Sequence, residues 1–99
     1  MHRQAVPRSR AQTDRDRRLL AAAGANIRAR RRELGRSIED VAIAAELSRN
    51  YLSEIETGTK APSLMMLGAI AHELGVAGWQ LLQPVDSEEQ AAFTDEGSA

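Results

Sequence analysis

Ser48-Arg49-Asn50-Tyr51-Leu52-Ser53-Glu54-Ile55-Glu56-Thr57-Gly58 is the stretch that decides the fold. Leu52 and Ile55 are three residues apart, so in a helix they share one face and point to a core. Ser48 can cap the start of this helix, because its hydroxyl can accept an otherwise unpaired amide. Gly58 can end it in the left-handed conformation. The sequence therefore predicts a short helix whose other faces carry hydrogen-bonding side chains: Arg49, Asn50, Ser53 and Glu54.

A second short helix is predicted just upstream, from Ser37 to Ala45. Ser37 is followed three residues on by Asp40, as in a capping box with Asp in place of Glu. An apolar stripe at helical spacing follows, made of Val41, Ala42 and Ala45. About three residues, 46–48, then lead into the first-named helix. Two short helices joined by so tight a turn are typical of a helix-turn-helix.

Short motifs continue in order from about Ile27 to Leu82. They are Ile27-Arg28-Ala29-Arg30-Arg31, Leu34-Gly35, Ser37, Val41-Ala42, Leu47-Ser48, Tyr51 to Gly58, Pro62-Ser63-Leu64, Leu67, and Ile70 to Val76. In this order and spacing they resemble the phage-repressor and Cro-type helix-turn-helix family of DNA-binding domains, over a little more than half of the chain. The resemblance implies an all-α fold, a five-helix lambda-repressor-like domain.

The remaining helices are predicted from their caps and apolar spacing. Thr13 can cap a first helix from about Asp14 to Leu34, whose inner stripe is Leu20, Ala23, Ile27, Arg31 and Leu34. Ser63 can cap a fourth helix, Leu64 to Leu74, with the stripe Leu64, Leu67, Ile70, Ala71 and Leu74. A short fifth helix is expected from about Gly78 to Leu82. We divide the chain into a basic flexible arm (1–12), the helix-turn-helix domain (13–83) and an acidic flexible tail (84–99).

The net charge of −1 hides an asymmetry. Residues 1–36 contain eleven Arg and three acidic residues, which gives +8, while residues 37–99 contain two basic and eleven acidic residues, which gives −9. A basic segment on an acidic domain favours a polyanionic partner. A solvated, non-binding arm is the alternative, and the sequence does not choose between them.

Several function classes lack any supporting pattern. The apolar run 19–25 is seven residues long and is followed at once by arginines, unlike an export signal, and no stretch is long enough to cross a bilayer. The absence of cysteine suits a reducing cytoplasm. No Ser-His-Asp set, glycine-rich phosphate loop or His/Asp/Glu spacing for a metal stands out. We expect a cytoplasmic, nucleoid-associated protein that is not an enzyme and needs no metal, cofactor, small-molecule ligand or membrane.

The resemblance places base-reading side chains at the start of the second helix of the motif, which we call the recognition helix (48–57). Arg49 there could donate two hydrogen bonds to guanine, and Asn50 could pair with adenine. Ser53 and Glu54 lie one turn further on, and Glu54 could accept from cytosine or repel phosphate to sharpen register. The alternative for each is a solvated polar residue.

A second group is expected to contact phosphates, which position a protein without reading sequence. Its members are Arg28, Ser37, Ser48, Thr57, Thr59 and Lys60. Ser37 and Ser48 stand at helix N-termini, which attract anions. At Thr57 and Thr59 the backbone amides, rather than the side chains, could make the contact.

The resemblance also implies a structural ion pair between Arg31 and Glu56, since the family joins its first and third helices there. Trp79, with Met65 or Met66, is apolar where the family is usually polar, and exposed apolar surface often marks an interface. We therefore expect a homodimer through the fourth and fifth helices. The alternative is that Trp79 folds back over Gly78.

Three further residues depart from the family pattern: Ile38, Glu46, and Arg36, which replaces an apolar residue. Ile38 replaces a phosphate-facing glutamine, although it extends the apolar stripe of its helix and could be core. Glu46 replaces the glycine of the turn and would be strained in a left-handed conformation. Two functions remain: a sequence-specific DNA-binding transcriptional regulator, a repressor that binds double-stranded DNA at a palindromic operator as a homodimer, or a protein-interaction adaptor, antitoxin-like, that keeps the fold without reading bases.

Overall fold

The structure, a computed structural model, describes residues 9–85 of the chain. Within this range it contains four α-helices and one 3-10 helix, and no strand. They are α1 (Arg10–Glu33), α2 (Ile38–Ala44), α3 (Arg49–Glu56), α4 (Leu64–Leu74) and the 3-10 helix (Gly78–Leu82). The all-α expectation is confirmed, but the fifth element is a 3-10 helix, so the domain has four α-helices rather than five.

Helix α1 begins earlier than the sequence analysis placed it. Ser9, not Thr13, is its cap: the Gln12 amide donates to Ser9 Oγ at 3.1 Å and the Ser9 amide donates to Gln12 Oε1 at 2.9 Å. This reciprocal capping box satisfies two otherwise unpaired amides, which extends the helix by four residues. Residues 10–12, assigned above to the flexible arm, are therefore helical. Residues 1–8 of that arm and residues 86–99 of the tail lie outside the described range.

The other three α-helices begin where the sequence predicted. The hydroxyls of Ser37, Ser48 and Ser63 each accept from the amide three residues on, at 3.0, 3.0 and 3.1 Å respectively. Gly58 and Gly75 follow α3 and α4 with φ angles of +78° and +70°, the left-handed region in which glycine is free of Cβ strain. Capping serines at the start and glycines after the end thus set the lengths of α3 and α4.

The core is aliphatic, as the composition requires. Its largest fully buried side chains are Ile27, Val41, Leu52, Ile55, Ile70 and Leu74. Ile38 is half-buried and packs against them, so this residue serves the core. Leu34 and Leu64 were expected in buried stripes, but they are 42% and 81% exposed. Both stand at a helix end, beyond the part of the helix that its neighbours cover.

Helix α1 packs against α3, α4 and the 3-10 helix. It crosses α3 so closely that a Cβ added at Gly24 would overlap the carbonyl oxygens of Ile55 and Glu56. The Asn26 amide donates to the carbonyls of Leu81 and Gln83, both at 2.9 Å, and ties the 3-10 helix to α1. The position of α3 is therefore set mainly by its packing on α1.

Two absences apply to residues 9–85. None of their helices combines the length and apolar character that a bilayer crossing needs. The same residues contain no group of three or more His, Asp or Glu side chains placed to hold a metal ion.

The turn between α2 and α3 contains a strained residue, because Glu46 has a φ of +60°. We expect Glu46→Gly to raise the free energy of unfolding above that of Glu46→Ala by about 1 kcal/mol, since only the alanine variant keeps a Cβ in the left-handed region. Urea denaturation of the two variants measures the difference. Both lack the carboxylate, so a lost charge cannot explain it. Equal stabilities would show that the turn relaxes out of this conformation at no cost.

Candidate nucleic-acid interface

Helix α3 has a buried face and an outer face. Leu52 and Ile55 are 0% and 1% exposed and anchor the helix in the core. Arg49 and Asn50 are exposed at its N-terminal end, whereas Ser53 and Glu54, one turn on, are half-buried. The four side chains predicted to read bases therefore lie on one short helix, and the first two are the most accessible.

Arg49 has a partner that the sequence analysis missed. Its Nε donates to Glu39 Oε2 of α2 at 2.7 Å, and both side chains are more than half exposed. The hydrogen bond from Arg49 holds the pKa of Glu39 below its usual value. A sequence signal existed: Glu39 and Arg49 carry opposite charges in the first turns of two helices that a tight turn brings together. Ten residues separate them, so spacing within one helix could not reveal the pair.

Ser37 and Ser48, predicted to contact phosphates from the starts of α2 and α3, can still donate a hydrogen bond through their hydroxyls. The hydroxyls of Ser37 and Ser48 accept from backbone amides and are exposed. A hydroxyl can accept and donate at once, so each O–H can still point toward a phosphate oxygen. Arg28 on α1 and Lys60 after α3 are exposed cations.

The loop after α3 is closed by its own backbone. The amides of Thr57, Thr59 and Lys60 donate to carbonyls of α3, namely those of Ser53, Glu54 and Glu54 at 3.1, 2.9 and 3.2 Å. These amides are thus occupied within the chain, which disfavours the alternative that they hold a phosphate.

The two threonine hydroxyls in this loop are also engaged. Thr57 Oγ1 donates to the Glu54 carbonyl at 3.1 Å and lies 2.6 Å from Thr59 Oγ1. Since the Thr57 proton is directed at the carbonyl, Thr59 is the donor between the hydroxyls. Lys60, the third loop residue predicted to contact phosphate, is an exposed cation. Unlike the two threonine hydroxyls, its side chain can reach a phosphate without first breaking one of these hydrogen bonds.

Arg31 and Glu56, predicted as a structural pair, lie together between α1 and α3. Arg31 Nε and Nη2 donate to the two carboxylate oxygens of Glu56 at 2.7 and 3.0 Å, and Nη1 donates to the Arg36 carbonyl at 2.9 Å. The side chains are 12% and 4% exposed. The hydrogen bond with Glu56 raises the pKa of Arg31 above its usual value. This forked pair fixes the C-terminal end of α3 against α1.

The predicted dimer residues differ in accessibility. Met65 and Trp79 are 81% and 63% exposed, while Met66 is half-buried. At that exposure the Trp79 ring does not fold back into the domain. Leu64 and Leu82, in the same two elements, are 81% and 39% exposed.

Comparison with known proteins agrees with this geometry. Residues 27–77 match the family model described as helix-turn-helix. Over 63 residues the chain is 36% identical to an uncharacterised HTH-type transcriptional regulator, y4dJ, of Sinorhizobium fredii. The aligned residues make up 64% of this chain and 82% of that protein. It is 38% identical over 60 residues to the HTH-type transcriptional regulator DdrOP3 of Deinococcus deserti, of which it spans 46%.

A solved structure extends the likeness in three dimensions. The hypothetical transcription factor NHTF from Neisseria superposes with a TM-score of 0.67 at 32% identity, covering 80% of this chain and 86% of that one. The family-model match over residues 27–77 covers the C-terminal part of α1 and all of α2, α3 and α4, and so includes the helix that carries Arg49 and Asn50. The chain belongs to the phage-repressor and Cro-type helix-turn-helix family.

Proposed function

We propose that the chain is a sequence-specific DNA-binding transcriptional regulator that places α3 in the major groove. One observation carries this proposal: Arg49 and Asn50 stand exposed at the start of a helix whose other face is fully buried. A major groove is wide enough for an α-helix, and the N-terminal residues of a recognition helix meet base edges. The chain's relatives named as transcriptional regulators support the same reading.

The base contacts follow from side-chain chemistry. Arg49 donates two hydrogen bonds to O6 and N7 of guanine, and Asn50 pairs with N6 and N7 of adenine. Ser53 and Glu54 are half-buried and lie one turn deeper along α3. They contact the neighbouring bases, and Glu54 accepts from a cytosine amino group or repels phosphate to sharpen the register.

Phosphates hold the helix in register. The Ser37 and Ser48 hydroxyls, with Arg28 and Lys60, give two neutral and two cationic contacts at exposed positions. Thr57 and Thr59 join them when the Thr57 hydroxyl turns away from the Glu54 carbonyl and the Thr59 hydroxyl turns away from Thr57. Affinity should then fall as salt rises, because each neutralised phosphate releases counterions.

The regulator acts as a homodimer on a palindromic operator. The exposed side chains of Met65 and Trp79, with the half-buried Met66, supply apolar surface at α4 and the 3-10 helix. A two-fold dimer would present two recognition helices about 34 Å apart, one turn of DNA. Occupying a promoter in this way represses transcription. Its place of action is the nucleoid in the cytoplasm.

Selection of bound duplexes from a random pool tests the proposal. We expect a consensus with two-fold symmetry, and we expect Arg49→Ala and Asn50→Ala each to relax one base position and to weaken binding about tenfold or more, since a bidentate contact is worth about 1–3 kcal/mol. Lys60→Ala is the matched control. It should weaken all sequences alike and leave the consensus unchanged.

The same selection experiment can instead favour the alternative function, a protein-interaction adaptor that does not read bases. Ile43, on α2, is 75% exposed and offers an apolar contact that DNA does not require. If the wild-type protein selects no consensus, or if Arg49→Ala and Asn50→Ala both select the same one, base reading by α3 is wrong. A partner protein that binds the chain and is lost in Ile43→Ser would then support the antitoxin-like alternative.

A further inference from the structure

We infer that Glu39 determines sequence specificity by holding Arg49 in the orientation that reads guanine. This inference rests on the proposed function, because it assigns a positioning role toward a base-reading side chain. In the proposed complex with DNA, Glu39 itself touches no base. Its effect on DNA specificity runs through the hydrogen bond to Arg49.

The hydrogen-bond geometry leaves the reading edge of Arg49 free. A guanidinium is a planar fork with five N–H donors. Glu39 Oε2 takes the Nε proton at 2.7 Å, at the side of the fork nearest the backbone. The two terminal nitrogens, Nη1 and Nη2, still present a pair of N–H groups at the far end. That pair is what the O6 and N7 acceptors of guanine require.

The two helices hold the pair at a fixed separation. Glu39 is the second residue of α2 and Arg49 is the first residue of α3. Each helix is capped at that end by a serine, Ser37 or Ser48, and each is anchored by fully buried side chains within the next turn. A side chain tethered to a rigid backbone at both ends loses less rotamer freedom when it meets DNA.

The charge of Glu39 adds to discrimination. A carboxylate near the groove repels phosphates, so by itself it weakens binding to every sequence. Pairing with Arg49 offsets that repulsion. The repulsion that is left is outweighed only where the free Nη1 and Nη2 donors of Arg49 find a guanine. Loss of Glu39 should therefore tighten non-specific binding while it weakens the preference for guanine.

Asp40 provides a matched control. It is the next residue of α2, it is exposed, and it carries the same charge in the same helical turn. Arg49 Nε is directed at Glu39 instead. Replacing Asp40 changes the electrostatic field near the groove without removing the tether on Arg49.

The test measures affinity for the selected duplex and for duplexes in which the guanine read by Arg49 is replaced by adenine or 7-deazaguanine. Wild type is compared with Glu39→Ala, Glu39→Gln, Asp40→Asn and Arg49→Ala. The quantity compared is the guanine preference, which is the dissociation constant for each replaced duplex divided by that for the selected duplex. We expect Glu39→Ala to lower this preference about tenfold, the small end of a bidentate contact. Glu39→Gln, whose amide oxygen still accepts from Nε, should restore part of it. Asp40→Asn should tighten every duplex equally and leave the preference unchanged.

The outcomes separate the two proposals. If Arg49→Ala abolishes the guanine preference while Glu39→Ala keeps it, or if Asp40→Asn lowers it as much as Glu39→Ala does, the role of Glu39 is wrong and base reading stands. If wild type has no guanine preference, or Arg49→Ala retains it, base reading by Arg49 fails and the tether has no function to serve. Circular dichroism of each variant checks that the helices are intact.

Discussion

Gly24→Ala is expected to lower the free energy of unfolding by about 3 kcal/mol or more, the upper end of what overpacking costs. The added methyl would lie 2.5 Å from the Glu56 carbonyl oxygen and closer still to that of Ile55. Both atoms belong to the backbone of α3, so no side chain can swing away to make room. Either α1 and α3 move apart, which breaks the contacts around Ile55, or the domain unfolds.

The same substitution at Gly68 should have the opposite sign. Gly68 is in the middle of α4, and a Cβ there would meet nothing within 4 Å. Alanine is about 0.5–1 kcal/mol better than glycine inside a helix, so Gly68→Ala should raise stability by that amount. Urea denaturation gives both values. A Gly24→Ala variant as stable as the wild type would show that α1 and α3 are not in close contact.

The Gly24 contact shows where prediction from sequence stops. The run Ala21-Ala22-Ala23-Gly24-Ala25 reads as small residues in a helix, and nothing in it distinguishes the position that touches another backbone. Closeness between α1 and α3 is a property of the packed pair. Gly58 is different, since a glycine after a capped helix has a local reason, and its end of α3 was predicted.

The helix boundaries likewise divide into those set by local sequence, which were predicted, and those that were not. Capping by Ser48 and Ser63 depends on residues within one turn, so both starts were predicted. The start of α1 was misplaced because Ser9 and Thr13 both precede plausible first turns, and the box closed by Gln12 decides between them. Leu64 was wrongly expected in the core, since its spacing fits the stripe but no neighbour reaches the first residue of α4.

The candidate interface was predictable only as far as the family resemblance reaches. It singled out Arg49 and Asn50 and paired Arg31 with Glu56, and the structure places the first two on the surface and joins the second two. Glu39 was missed because its bond to Arg49 crosses from one helix to the next. A side-chain pair between two helices that the resemblance does not imply is seen only when the helices are packed.

Glu56→Gln is the second change with a large expected effect. The side chains of Arg31 and Glu56 are mostly buried and are joined by two hydrogen bonds. An arginine side chain stays charged at any working pH, so the glutamine variant leaves a cation that has lost its counter-charge. Breaking a buried pair from one side costs about 3–5 kcal/mol. We expect about 3 kcal/mol, because Glu56→Gln keeps one acceptor oxygen and Arg31 keeps its bond to the Arg36 carbonyl.

A more exposed ion pair, with both residues on α1, gives the control. Arg30 and Glu33 lie 3.3 Å apart with side chains 35% and 66% exposed, and Glu33→Gln should change stability by less than about 1 kcal/mol. A double variant, Arg31→Met with Glu56→Leu, should recover much of the loss, because apolar residues of similar volume remove the unpaired charge. If Glu56→Gln were as mild as Glu33→Gln, the fork would be a surface contact and α3 would be held by apolar packing alone. A large loss that the double variant reverses would show instead that the buried charge must be paired for α3 to stay in place on α1.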